Sequence, residues 1–358
     1  MTKTPPPPTP AELPGWTAIC WLLFSSFTFY VTFVQYALLR RATLVLHWAE
    51  KDLTPGFALL AICGIAGSLA AGYAIDRRKP FTDHLAQAAA GISGVVAVVA
   101  VAMMQVTSRL LLLALFAPLG FALGLLIVLL LTLMVTRLPL RILGIFGGFT
   151  AGAIYLVSNL LAVFSDNPDK IGMYDAILVA SNVVVVFLFM DSLRNTPSVP
   201  AGCDTTSGRM VKALLPLAAV VFADTALFVL VSRAPGENAI LATSGDWFAN
   251  GVIHFLAAAF AGLFYVRVGW KKLNAVAAAA LVMLIAAYLT HRFTGTDLRG
   301  PILGLYGAVV GIYTVALFTV FGEEAPRAHP ATGIAWGMVL VGWVASPAGI
   351  ALGTALVG

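Results

Sequence analysis

The stretch GYAIDRRKP, Gly72 to Pro80, follows the apolar run FALLAICGIAGSLAA with no polar transition between them. One carboxylate, Asp76, and three cations, Arg77, Arg78 and Lys79, stand beside a segment suited to lipid. A degenerate echo lies 190 residues further on, in GLFYVRVGWKK from Gly262. In each copy a Gly precedes an Arg by five residues, Gly72 with Arg77 and Gly262 with Arg267, and more cations follow. A charged knot that recurs at the end of two apolar runs speaks to architecture, and the rest of the chain bears on it in the same terms.

The 358 residues are 60% hydrophobic and 10% charged, with a mean hydropathy of +0.95. Soluble domains carry about 25% charged residues. A chain with so few charges cannot cover a soluble surface and takes the bilayer as its solvent. Residues 1–14, MTKTPPPPTPAELP, offer no signal-peptide cleavage site, and their prolines favour an extended form. They read as a Pro-rich cytoplasmic tail. The net charge of +5 fits basic residues gathered in cytoplasmic loops, so no nucleic acid partner is expected. The three cysteines, Cys20, Cys63 and Cys203, have neither pairing nor metal-ligand spacing. No nucleotide-binding loop of the Walker type occurs, and no cofactor or metal is expected.

A membrane helix needs about 20 mostly apolar residues. Eleven stretches qualify: 16–39, 56–75, 85–106, 109–135, 142–164, 173–191, 211–232, 248–268, 272–290, 301–321 and 331–357. The longest connection, LRNTPSVPAGCDTTSGRMVK, is rich in Pro, Gly, Ser and Thr and lies near mid-chain. It separates a six-helix bundle, 15–193, from a five-helix bundle, 211–358, with 194–210 as a cytoplasmic linker. With the N-terminus cytoplasmic, 13 Lys and Arg residues fall inside and 8 outside. That asymmetry favours this orientation, in a plasma membrane such as a bacterial inner membrane. It also places Arg40 and Arg41 in an outer loop.

Two bundles related by an internal repeat are the sequence trace of many transporters. Gly72, Asp76, Arg77 and Lys79, placed after the second span, resemble the signature loop of the major facilitator superfamily. Gly262, Arg267, Gly269, Lys271 and Lys272 resemble its degenerate second copy, with Val266 where an Asp would stand. The resemblance implies an all-α membrane fold of two pseudo-repeated bundles. It implies secondary transport by alternating access, with spans one, four, seven and ten lining a central cavity. Three departures qualify it. Eleven spans stand where twelve are usual: either the twelfth helix lies beyond this sequence or it is lost, in which case a partner helix or a second copy could cover the face it leaves. Span four lacks the internal Arg of many proton-coupled members. Span five carries Gly144, Gly147, Gly148 and Gly152 without the Gly-Pro pair of the antiporter motif, which points to close helix packing.

The knot itself has a physical reading. Gly72 lets another helix approach, and Asp76 at a helix end can meet the positive end of a neighbouring helix or an Arg. Gly72, Asp76, Arg77, Lys79, Gly262 and Arg267 are therefore candidates for a conformational latch. The plainer reading is a solvated anchor that sets topology.

Candidate substrate and coupling-ion residues come from polar groups inside the spans. Asp224 falls near the middle of LPLAAVVFADTALFVLVS, where a carboxylate costs about 2.5–3.5 kcal/mol on an insertion scale. It needs a partner, a proton or a water-filled cavity, and so is the leading candidate for a coupling role. In span one, Ser25, Thr28, Thr32, Gln35 and Tyr36 share one face. Ser25 and Thr28 suit interhelical hydrogen bonds, whereas Gln35 and Tyr36 suit the cavity. His254, one turn from Asn250, is expected near the outer boundary, where it either meets Asp224 or stands alone. Tyr306 and Tyr313 share a face of span ten opposite Gly304, Gly307 and Gly311. Tyr155, Ser158 and Asn159 are further candidates in span five. Trp16, Trp21, Trp48, Trp247 and Trp270 fall near span ends, where aromatic belts form.

The sequence thus points to a non-enzymatic secondary transporter of a small solute or ion, with symport or antiport through Asp224. The rival from another class is a non-transporting subunit or assembly factor of a larger membrane complex. A membrane enzyme ranks last: HWAEKD, with His47, Glu50 and Asp52, reads equally as a solvated charge run.

Overall fold

The computed structural model describes residues 13–77, 84–164, 167–198, 206–233, 240 and 243–357. Arg78, Lys79, Cys203 and most of the Pro-rich tail lie outside them. The described residues contain helices and no β-strand. The spanning helices are α1 (Leu13–Val45), α2 (Thr54–Arg77), α3 (Leu85–Gln105), α4 (Arg109–Arg137), α5 (Leu140–Phe164) and α6 (Pro168–Leu188). After the central linker come α7 (Ser207–Arg233), α8 (244–268), α9 (270–294), α10 (Arg299–Glu324) and α11 (330–357). The chain is a multi-pass membrane protein.

Helices α8 and α9 follow one another without a loop. Together they form 51 residues of nearly continuous helix, about 76 Å at 1.5 Å per residue, which is more than twice the bilayer core. Gly269 divides them, with φ 72° and ψ 165°. That φ lies where a side chain would be strained, and only Gly adopts it at no cost.

Two spans are not uniform. Tyr30–Ala37 in α1 and Val339–Ala345 in α11 are wound wider, as π-helix. Such segments re-aim side chains and recur at functional sites. Both face the central cavity described below.

Helices from the two halves meet along close approaches. Gly148 of α5 faces Gly262 of α8, and a Cβ built at Gly148 would stand 2.5 Å from the Ala258 carbonyl oxygen. A Cβ at Gly262 would stand 2.5 Å from that of Gly144. In lipid, where apolar surface gives little drive to associate, this backbone proximity supplies the packing. The glycines of span five are packing residues in this sense.

Two boundaries differ from expectation. The first span continues to Val45 because Arg41 is not in a loop. It is 4% exposed, its Nε pairs with Asp169 at 2.8 Å and its Nη1 donates to the Val106 carbonyl at 3.0 Å. Arg40 also remains helical and donates to the Tyr36 hydroxyl. The sixth span begins at Pro168, five residues before the hydropathy boundary, because Asn167 caps it by accepting from the amides of Asp169 and Lys170.

Candidate functional site

A cavity of about 220 Å³ lies between the two halves, with walls from α1, α4, α5, α7, α8, α10 and α11. The resemblance implied spans one, four, seven and ten; α5, α8 and α11 add to them. Gln35, Tyr36, Asn159, Asp224, His254, Tyr306 and Tyr313 all line it. Helix α7 brings Asp224 to this wall at 3% exposure. The Tyr313 hydroxyl donates to its Oδ2 at 2.8 Å, while Oδ1 has no partner among the described residues.

His254 stacks on Tyr155, with ring centroids 4.8 Å apart, and meets Tyr306 edge-on at 5.6 Å. Tyr306 in turn stacks on Phe228 at 6.3 Å. The Nδ1 of His254 lies 2.7 Å from the Asn250 carbonyl oxygen. A carbonyl only accepts, so Nδ1 carries a proton, and in the neutral imidazole Nε2 is left as an acceptor. Asn250 donates to Asn159 Oδ1 at 3.1 Å, and Asn159 donates to the Tyr155 carbonyl at 2.7 Å. The Tyr155 hydroxyl and Thr314 Oγ1 are 3.3 Å apart. One polar chain thus links α5, α8 and α10 across the two halves.

Three expectations need correction. His254 is not near the outer boundary: α8 starts at Ser244, so His254 lies about 15 Å along it and is 2% exposed. No hydrogen bond joins it to Asp224 among the described contacts; Tyr313 takes that place, because α10 packs between them. Nor do all the tryptophans form belts. Trp16 and Trp270 are 4% exposed and packed in the core, and Trp247 lines the cavity.

The polar face of α1 divides as its residues suggest. Ser25 turns to the neighbouring helix and donates to Asn182 Oδ1 at 2.5 Å, whereas Gln35 and Tyr36 face the cavity. Thr28 is buried with its hydroxyl unpartnered. Thr32 does both, lining the cavity and donating to Asp175 Oδ1 at 2.5 Å. Asp175 is fully buried on α6, and its Oδ2 has no partner. Asn182, two turns along the same face, donates to Ser26 and Ser93 at 3.0 Å each. Asp175 and Asn182 escape a hydropathy reading, which puts Asp175 two residues inside a span end. Trp343 escapes it too; it lines the cavity and donates to Ser68 at 3.0 Å. The one available signal was a polar stripe on α6, in register with that on α1.

At the end of the bundle where α2 stops, Asp76 caps α11. Its Oδ1 accepts from the Ala331 amide at 3.2 Å and its Oδ2 from the Thr332 amide at 2.7 Å, while Thr332 donates to the Gly72 carbonyl at 3.3 Å. This is a carboxylate on the positive end of a helix. Arg77 does not cross to the other half: it covers the Tyr73 ring of its own helix, 4.1 Å from the centroid. Gly262 makes the cross-bundle contact with α5 described above, but Arg267 is exposed. The HWAEKD run is a packing feature at Asp52, which pairs with Arg109 at 2.9 Å. No cluster of three metal-ligating side chains occurs among the described residues.

No protein-family model matches the sequence, and no curated protein matches it. Solved structures do match the fold. The proton:xylose symporter XylE aligns with a TM-score of 0.63 at 17% identity, over 94% of this chain and 86% of that one. The human organic anion transporter MFSD10 aligns at 0.61 and 15% identity, over 98% and 95%. The nucleoside transporter NupG, in a mutant form, aligns at 0.59 and 12% identity, over 97% and 92%. The architecture is therefore the major facilitator fold, all-α, in two helical bundles. A sugar, an organic anion and a nucleoside are moved by these three, so the fold alone names no substrate.

Proposed function

We propose that this chain is a secondary transporter that moves a small solute by alternating access, with Asp224 as its coupling residue. The observation that carries the reading is a carboxylate lining a cavity between the two halves, hydrogen-bonded on one oxygen and bare on the other. An intramembrane carboxylate of this kind marks an ion or substrate pathway. Gln35, Tyr36, Asn159, His254, Tyr306 and Tyr313 are the substrate-contacting residues in this reading. The proton symporter among the fold's relatives supports the coupling role.

Gly72 and Asp76 act as a latch. The Asp76 cap ties α2 to α11 at the end of the bundle away from Gln35 and Tyr36, and it must break for that end to open. Gly262 extends the device through its close approach to Gly144 and Gly148, whereas Arg77 lies over Tyr73 of its own helix and Arg267 is exposed, and Lys79 lies outside the described residues. The N-terminus and this latched end are cytoplasmic by the charge asymmetry, in a bacterial inner membrane.

Gradient-driven flux in vesicles reconstituted with the full chain tests the reading. Flux that is lost in a folded Asp224→Asn variant is expected. Flux unchanged by that substitution removes the coupling role. Absence of any gradient-driven flux, with a stoichiometric membrane partner on purification, would instead favour the non-transporting subunit.

A further inference from the structure

We infer that the cavity takes a small organic ammonium ion, a protonated amine carried on a ring-sized hydrocarbon. The inference rests on the cavity assigned above as a transport site. Thirty residues line it, and Asp224 is the one among them with a formal charge; none is Lys or Arg. Arg40, one turn from the wall residue Tyr36, lies over that ring, 5.1 Å from its centroid. A cavity whose one acidic side chain faces no cation among the described lining residues selects against anions and favours one positive charge.

The unmet hydrogen bonds have the same polarity. Three lining side chains hold a buried oxygen with no partner among the described residues: Asp224 Oδ1, Asn250 Oδ1 and Ser158 Oγ. The first two only accept, and the hydroxyl can do so. His254 adds an acceptor at Nε2, because its Nδ1 proton is committed to the Asn250 carbonyl. Their complement is a donor-rich, positively charged head group. An ammonium ion meets these acceptors with both charge and donors.

The rest of the wall fits a hydrocarbon body. Ten of the thirty lining residues are Phe, Tyr or Trp, against 11% in the whole chain. Aromatic faces attract cations and stack on rings. The volume of about 220 Å³ exceeds the roughly 150 Å³ that accepts benzene, and it falls short of the 300–1,000 Å³ or so of drug-sized sites. A bare metal ion fits poorly: hard cations take several oxygen ligands at once, and here one carboxylate is ringed by aromatics.

Benzylamine, benzyl alcohol and benzoate share a body and differ in charge. They would be titrated at neutral pH into the detergent-purified full chain, by calorimetry and by quenching of the wall residues Trp247 and Trp343. Benzylammonium is expected to bind about tenfold or more tighter than the alcohol, with no response to benzoate. A folded Asp224→Asn variant should lose that preference. Equal or tighter binding of the alcohol or of benzoate overturns the inference, and this comparison needs no variant. So does a preference that survives in Asp224→Asn. Vesicle flux separates this result from the transport reading. Benzylammonium that binds but is never moved leaves the site assignment standing and counts against transport. Flux of another solute, with no benzylammonium binding, overturns the inference alone.

Discussion

Asp175 and Asp224 are chemically alike and differently placed. Each is a buried carboxylate in a membrane helix, each accepts one hydroxyl hydrogen bond, from Thr32 and Tyr313 respectively, and each keeps one oxygen unpartnered. Asp224 lines the cavity and Asp175 does not. Around Asp175 the polar company is Ser and Asn held in fixed interhelical bonds: Ser25, Ser26, Ser93 and Asn182. Around Asp224 it is phenols and an imidazole that face open space. Burial of a charge-bearing group therefore does not identify a working site in this molecule; access does. One carboxylate holds helices together, and the other borders a cavity, as the proposed coupling role requires.

The contrast can be broken most sharply by thiol labelling. In a background lacking Cys20, Cys63 and Cys203, Asp224→Cys should react with a cationic methanethiosulfonate about a hundredfold faster than Asp175→Cys, since reactivity follows access. Equal rates would erase the distinction. A smaller effect is expected from Asn182→Ala, which strips partners from three serines. Each buried group left unmet costs about 1–3 kcal/mol, reduced in membranes by alternative partners. Thermal unfolding in detergent should show the loss, with ammonium binding retained. A variant as stable as the parent would mean the Asn182 bonds contribute nothing. The finest comparison removes one hydroxyl from each carboxylate. Thr32→Val should destabilise by about 1 kcal/mol, and Tyr313→Phe by less, because water in the cavity can replace the lost donor. The reverse order would put the solvated carboxylate at Asp175.

The fold was legible because hydropathy and charge asymmetry act over whole helices. Eleven apolar stretches, a central linker and a repeated charged knot were enough to reach the two-bundle architecture. The cavity residues were legible where polarity stood against an apolar background, as at Asp224, or where two residues shared a helix face, as at Tyr306 and Tyr313. What remained hidden depended on partners distant in sequence. Arg41 reads as a loop residue until Asp169, 128 positions later, neutralises it. Asp175 reads as a boundary residue until Asn167 starts its helix a turn and more earlier. The depth of His254 followed from the capping box of Thr243 and Asp246, which extends α8 outward. The wide turns in α1 and α11 left no mark in composition.

Gly269 bears on how the second bundle moves. The corner between α8 and α9 is a single residue with φ 72° and helix on both sides, so the joint has no slack. Two rods joined by one pivot cannot slide past each other along their axes. Any displacement of α8, which carries His254 and the Gly262 contact with α5, is handed to α9 as rotation about one point. In the proposed transport cycle, a tilt of α8 at the cavity would pass to α9 through this joint. The mechanical load of a transport cycle would then fall partly on the bilayer, and turnover should respond to its thickness and stiffness.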